Sequence, residues 1–557
     1  MRTLALLTLT LAACSPKRVP ADAIAADPSP PPQAACPDAT FTVLHLNDIY
    51  RIEGLADGRG GLDRVRTLRS QLEQCGPVLV THAGDAFFPS LLSLQYQGRQ
   101  MVDVLNGLDG DFSAFDAKMV ATFGNHEFDK SKLKYAPFVD ELLDNSQFAW
   151  LDTNITWAKG DDGAPLIAAE HLQHELIVEL GGKKVGLFSL TLDMAVPAYV
   201  SAIDRHDADL ARAKTAALRA AGADVVIALT HLDAREDTAL LRALGDDGPD
   251  LVLGGHDHAA MELDVDGRYV LKGAADATAV QVISVQFADE APHFAFPPGG
   301  VALGPDTVAQ DPAVRARIDD WLARFEQDWC GDKGPGCLDT VLTTARTDVH
   351  AEELTIRRFE TDLGDWVTDQ MLSVFADQGS QGAILNSGSL RLNQDISAGT
   401  PITTQIVQEL MPYPTGLYLI ELKGSELQQV LEHSVADWTG SGHWLQVAGI
   451  AFRHDPDAGT VTDLTLLTPQ GPRPIRPDET LRLVSGSYIL DASVGDQDGY
   501  GALLSMDRVV DVPANNTELK DIVRAGLEAT RADGLAVALD GRICNPQRPG
   551  PCLAVAP

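Results

Sequence analysis

Five times in its first 260 residues this chain runs through a short apolar stretch and stops at Asp, Asn or His. Residues 41–46 lead to Asn47 and Asp48, 77–82 to Gly84 and Asp85, and 120–123 to Gly124, Asn125 and His126. Residues 223–229 lead to Thr230 and His231, and 250–253 lead to Gly254, Gly255, His256, Asp257 and His258. Apolar runs of this length, punctuated by glycine, read as buried strands. Residues 62–72 and 91–108 have helical spacing, so strands alternate with helices and this half is α/β. Such folds place their sites at the C-terminal ends of strands, so the pattern predicts that these polar groups converge at one edge.

Their chemistry is specific. Carboxylate, amide and imidazole suit zinc, manganese or iron, and a carboxylate can bridge two ions. Two such ions clamp the attacking and leaving oxygens of a phosphoryl transfer. A lone Asp after a strand is more often a helix cap, and a lone His is more often a satisfied loop residue. The ordered series NDxY, GD, GNHE, TH and GHDH outweighs those readings taken one at a time.

The series resembles the calcineurin-like metallophosphatases. Together with a large second half, it resembles the 5'-nucleotidase / UDP-sugar hydrolase group. The resemblance implies an N-terminal four-layer metallophosphatase β-sandwich flanked by helices, followed by a C-terminal α/β 5'-nucleotidase substrate domain. The expected divisions are a metallophosphatase domain at 38–305, a helical linker at 306–344 and the substrate domain at 345–557. Residues 311–328 have the helical periodicity of a connector. By the match, Asp85 bridges two divalent cations. Asp48 and His258 lie on one side, and Asn125, His231 and His256 on the other. His126 with Asp129 resembles the family's His–Asp dyad, which stabilises the transition state or protonates the leaving group.

Where the family has Asp-x-His, this chain has Asp48-Ile49-Tyr50. A phenol titrating near roughly 10 is a poor zinc ligand and serves iron better as phenolate. Three readings are open. Tyr50 is a phenolate ligand, with iron on its side of the centre; it is a bystander with water in its place; or one of the two metals is weakly held.

The second half carries the substrate residues that the resemblance implies. Asn386-Ser387-Gly388-Ser389-Leu390-Arg391 resembles an NGGxR-type loop, and Arg391 offers a fork for phosphate or ribose oxygens. Tyr413 and Tyr488 stand where two aromatics would sandwich a planar base. Asp498, within Gly495 to Tyr500, resembles the residue that binds ribose hydroxyls, although the loop departs from GGDG[FY]. Arg358 precedes Glu360 and Leu363-Gly364 much as a substrate arginine does.

The N-terminus adds compartment. A short apolar run ends in Leu11-Ala12-Ala13-Cys14, which resembles a lipobox with Cys14 as the lipidated residue. Residues 1–14 read as a lipoprotein signal peptide and 15–37, rich in Pro and Ala, as a flexible tether. Ser15 implies sorting to the outer membrane rather than retention at the inner one. Cys36, Cys75, Cys330, Cys337, Cys544 and Cys552 remain, an even set that suits disulfides in an exported chain. Cys330 with Cys337 and Cys544 with Cys552 are close enough to pair locally, leaving Cys36 for Cys75. A net charge of −36 argues against nucleic acid as a partner.

The expected activity is therefore an envelope-anchored dimetal phosphoesterase acting on nucleoside 5'-monophosphates, with UDP-sugars and cyclic nucleotides as further substrates. The membrane is touched only through the lipid. Two alternatives stand beside it. One is the same chemistry on a non-nucleotide ester such as a sugar phosphate. The other is an inactive ligand-binding lipoprotein.

Overall fold

The computed structural model describes residues 39–555 except 195, 289, 437–441, 492–499, 513–517 and 549. The expected leader with Cys14, the tether, Cys36 and Asp498 lie outside the described residues. Phe41–Leu46 is buried along its whole length and is the pivot of the first sheet. On one side Val78–His82, Met119–Thr122, Ala149–Leu151 and Leu172–Gln173 follow in parallel. On the other, Ala279–Ala288 runs antiparallel and carries Ala291–Ala295 and Val301–Ala302, completing an 8-stranded sheet. A second, 6-stranded sheet has Val225–His231 between Lys183–Thr191 and Leu251–Gly254, all parallel, with antiparallel strands at both edges.

The two sheets close on one another through Val43, Leu79 and Val120 from the first and Ile227, Leu253 and Leu271 from the second. Each such aliphatic side chain contributes about 1.5–3 kcal/mol when fully buried. Leu62–Glu73 and Ala136–Asp144 cover the outer face of the first sheet. Asp207–Ala220 and Ala234–Leu244 cover that of the second, which makes four layers. Strand register aligns the site. Leu46 pairs with His82, so the turns carrying Asp48 and Asp85 leave side by side, and Asp48 N–H donates to Gly84 O at 3.0 Å.

Two expectations change. The 91–108 stretch is not one helix but Leu91–Tyr96 and Arg99–Leu105, because Gln97 and Gly98 both take the left-handed conformation (φ 58° and 88°). The linker helix Pro312–Cys330 starts on an Asp311 cap that accepts from Ala313 and Val314 N–H, with proline in its first turn. It is not a free connector: Val314, Ile318 and Phe325 pack into the core of the first domain beside Leu62 and Leu105. Cys330–Cys337 closes the loop after it.

The second domain is built on a 5-stranded sheet in the order Leu445–Ala448, Gly382–Asn386, Thr480–Gly486, Leu417–Lys423, Val509–Asp511. Asp362–Val374 and Leu519–Ala529 cover one face. Gly424–Ala436 and a smaller sheet containing Ile450–Asp455 and Thr460–Leu466 cover the other. Cys544–Cys552 fastens the C-terminal segment to it. No helix among the described residues is long and apolar enough to cross a membrane.

Candidate metal centre and substrate face

The strand ends do converge. Asp48, Asp85 and His258 lie within one ligand sphere, their nearest donor atoms all within 4.8 Å of one another. Nε2 of His258 is 3.3 Å from Asp48 Oδ1, and Nε2 of His231 is 3.4 Å from Asp85 Oδ1. His256 enters by its backbone, whose N–H donates to Asp48 Oδ2 at 2.8 Å, and its ring meets that of His231 edge-on at 5.3 Å. Four of these residues carry positive φ: Asp48 53°, Asp85 62°, His256 78° and His258 58°. Each costs on the order of 1–2 kcal/mol, and such strain concentrates where function needs it. Gly124 serves close approach rather than the turn, since a Cβ there would collide with Asp85 Oδ1 and the His231 ring.

The donor set fits divalent metal. Among the described residues, Asn125 Oδ1 and His231 Nε2 are both buried and without a hydrogen-bond partner, an expensive state for an amide oxygen or an imidazole unless a cation takes the lone pair. The other nitrogen of His231 lies 2.6 Å from Ala83 O. A carbonyl only accepts, so Nδ1 carries the proton and Nε2 is left as the donor atom, the orientation metal-binding histidines show. The field is strongly negative. Despite burial, His231 and His126 hold Asp85 at about 2, and despite its own burial His231 is raised to about 10 by Asp85. Burial likewise opposes ionisation of Asp48, yet His258 and His231 hold it well below the usual carboxylate range.

His126 leaves the strand end on a single turn, His126–Phe128, and its Nδ1 is 2.9 Å from Asp129 Oδ1. Its backbone N–H donates to Asp85 Oδ1 at 2.8 Å. Glu127, which sequence reasoning did not assign, is fully buried and fastens the two loops together. Its carboxylate accepts from the N–H groups of Asp85, Ala86, Phe87 and Gly124 at 2.6–3.2 Å. Its only sequence signal is its place in the polar turn Gly124-Asn125-His126-Glu127.

Tyr50 stands inside the centre. Its hydroxyl is 2.7 Å from His258 Nε2, 3.0 Å from Asp85 Oδ2 and 3.1 Å from Asp48 Oδ1. The phenol oxygen thus lies among the same donor atoms that a cation would use.

The second domain faces the centre. Arg391 is half-buried, with its guanidinium 5.5 Å from the Tyr413 ring centroid and 5.9 Å from that of Tyr50. Its Nε donates to Gly388 O at 3.0 Å, and Nη1 has no partner among the described residues. Asn386 closes its own loop by accepting from Ser389 Oγ at 2.8 Å. The Tyr413 hydroxyl reaches the dyad, 3.4 Å from His126 Nδ1 and 3.5 Å from Asp129 Oδ2. Tyr488 is half-buried on the turn Tyr488–Leu490. Two hydrogen bonds between Gly416 and Ser487 hold the Tyr413 and Tyr488 segments together.

Beside the expected Arg358, its neighbour Arg357 is set at the centre, with Nη1 3.4 Å from His258 Nδ1. Arg357 Nη2 pairs with Glu353 at 3.1 Å, and Glu353 in turn lies 2.8 Å from His258 Nδ1. Against its burial, Arg357 and His258 hold the Glu353 carboxyl below the usual range. Neither Glu353 nor its contact is legible locally, because 95 residues separate the partners.

Comparison with known proteins agrees with this geometry. Residues 41–260 match the family model "Calcineurin-like phosphoesterase", and 341–500 match "5'-nucleotidase, C-terminal domain". A Rattus norvegicus 5'-nucleotidase is 25% identical over 509 residues, covering 82% of this chain and 84% of that protein. A snake venom 5'-nucleotidase from Naja atra is 26% identical over 459 residues, covering 74% and 82%. Among solved structures, a 5'-nucleotidase precursor from Thermus thermophilus superposes with a TM-score of 0.74 at 22% identity, over 91% of this chain and all (100%) of that one. A sulfate thiohydrolase, SoxB, from the same organism superposes with 0.66 at 17%, over 94% and 100%. At these identities the structural likeness speaks to the fold.

Proposed function

The chain belongs to the calcineurin-like phosphoesterases that carry a 5'-nucleotidase C-terminal domain, and from that premise we propose that it releases phosphate from nucleoside 5'-monophosphates. It is a metal-dependent phosphoric ester hydrolase of the 5'-nucleotidase type. The observation that carries the substrate reading is three buried atoms, unsatisfied among the described residues, that stand on the two sides of the domain interface. Asn125 Oδ1 and His231 Nε2 await cations on one side, and Arg391 Nη1 awaits an anion on the other.

In this reading Asp48, Asp85 and His258 hold one metal, and Asp85, Asn125, His231 and His256 hold the second. Two divalent cations in such a centre polarise a phosphoryl oxygen and lower the pKa of an attacking water. The chain's own residues do the rest. Arg391 binds a phosphate or ribose oxygen with its free nitrogen and is kept in place by the rings of Tyr413 and Tyr50. Asp129 accepts a hydrogen bond from His126 Nδ1–H, so a ring that also carries a proton on Nε2 would pass that second proton to the leaving oxygen and return to the Nδ1–H form. Glu127 keeps Asp85 and Asn125 in register through its backbone hydrogen bonds. Tyr413 and Tyr488 lie on adjoining segments where a base would stack.

UDP-sugars and cyclic nucleotides extend the same proposal, as does a lipid anchor on Cys14 that would tether the enzyme at the outer membrane. Metal-loaded protein assayed for phosphate release from AMP, UDP-glucose, cyclic AMP and a hexose phosphate tests the substrate. AMP is expected to be cleaved. Failure to cleave any nucleotide with any divalent metal would overturn the reading. Loss of radiolabelled palmitate on Cys14→Ser is the expected result for the anchor, and no label in the wild-type chain would refute it.

A further inference from the structure

We propose that Glu353 is a positioning residue supplied by the second domain to a metal ligand of the first, so that bringing the domains together completes the centre. This rests on the metal-centre reading above and goes beyond it. His258 follows the strand Leu251–Gly254 of the first domain. Glu353 begins the short helix Glu353–Ile356, which lies at the interface, with Leu354 packed on the first domain while Ile356 and the flanking chain are anchored in the second. Leu342, Ala345, Val349 and Ile356 are in that domain's core, and Gln446 Nε2 donates to Ile356 O and Phe359 O, each at 2.8 Å. Glu353 is 3% exposed and its Oε2 lies 2.8 Å from His258 Nδ1. Of the two, only the imidazole has a proton to give, so Nδ1–H donates and Nε2 is left facing Asp48 and Asp85.

The contrast with His231 makes the arrangement informative. His231 takes its orienting acceptor, Ala83 O, from its own domain and keeps it however the domains are disposed. His258 takes its acceptor across the interface. Separating the domains therefore takes away the acceptor at His258 Nδ1 and leaves the ring held only through Nε2, by Tyr50 and Asp48, while His231 keeps both its contacts. An acceptor at the far nitrogen of a metal-binding histidine is worth about 10–100-fold in metal affinity. By reciprocity, a metal held through His258 favours the closed arrangement by the same factor.

The test compares the full chain with Glu353→Gln and Glu353→Ala, following zinc or manganese affinity by chelator competition and interdomain distance by paired spin labels. The amide oxygen of Gln still accepts from Nδ1–H, although the charge that faces Arg357 is gone. If Glu353 positions His258, Ala weakens one of two metal sites by about 10–100-fold while Gln stays within a few-fold of wild type. Metal addition then shortens the interdomain distance in wild type and Gln but not in Ala. If Glu353 serves only as the partner of Arg357, Gln and Ala fall equally, and that outcome overturns the proposal. Wild-type affinity and wild-type closure in Ala overturn it too. None of these readouts uses substrate, so failure of the nucleotide assay leaves them interpretable.

Discussion

The Tyr50 hydroxyl lies 2.7 Å from Nε2 of His258, the nitrogen that a metal would claim. The same oxygen is within 3.1 Å of Asp48 and Asp85, so phenol and cation compete for one set of donors. Tyr50→His replaces a reluctant ligand with a ready one. The variant is expected to retain zinc or manganese at least about 10-fold longer against a chelator, and to depend less on which metal is supplied. Metal analysis after dialysis reads the first effect, and activity across a metal series the second. Equal retention by both proteins would show that Tyr50 does not limit this side of the centre.

His126 and Asp129 make a separable claim. The backbone bond from His126 to Asp85 survives truncation of the ring, whose Nε2 is 3.9 Å from Asp85, so His126→Ala should leave metal content unchanged. Removal of a positioned acid costs about 10²–10⁴-fold in kcat. Asp129→Asn should cost less, because the ring remains while its tautomer is no longer enforced. Kinetics paired with metal analysis decides this. A drop in bound metal matching the drop in kcat would mean that His126 is structural.

Arg391 is held between two rings, with one nitrogen bonded to Gly388 and another free. A hydrogen bond to a charged group contributes about 1.5–3 kcal/mol, so Arg391→Ala should lower kcat/KM by about 10–100-fold. Lys lacks the planar fork and the stacking, so Arg391→Lys should recover only part of the loss. Steady-state kinetics on AMP with constant metal checks it. Full activity in the lysine variant would mean that only charge is needed there.

Much of the first domain was legible because parallel strands force their C-terminal ends together. Asp48, Asp85, Asn125, His231 and His258 could be named as neighbours from five apolar runs alone. What was not legible acts through proximity created by folding. Glu127 binds backbone N–H groups up to 42 residues away, and backbone groups carry no sequence signature. Glu353 meets His258 only because the second domain docks on the first. Arg357 follows the one-turn helix Glu353–Ile356, and its approach to His258 is set by that turn rather than by any local sequence signal. The 91–108 stretch has helical periodicity throughout, and the left-handed break at Gln97 is a tertiary choice that spacing does not encode.

His45 leads to a prediction about stability. It lies on the central strand of the first sheet, fully buried, with Nε2 3.0 Å from Gly254 O on the second sheet and Nδ1 3.0 Å from Thr81 Oγ1. The carbonyl can only accept, so Nε2 carries the proton, Nδ1 accepts from the hydroxyl, and the neutral ring ties the two sheets together beside the site. Burial pushes its pKa down from 6.5 to about 3. Between those values the unfolded chain takes up a proton that the folded chain refuses. Folding stability therefore falls as pH drops through this window, by about 1.4 kcal/mol per pH unit for this one group. His45→Gln removes that proton. It should be less stable than wild type at pH 7.5, where the neutral ring serves well, and should lose stability less steeply between pH 6 and pH 4. The check is urea unfolding of both proteins across that range with chelator present, which cancels contributions from the other titrating groups in the difference. Parallel curves would mean that His45 is not the buried neutral bridge its contacts describe.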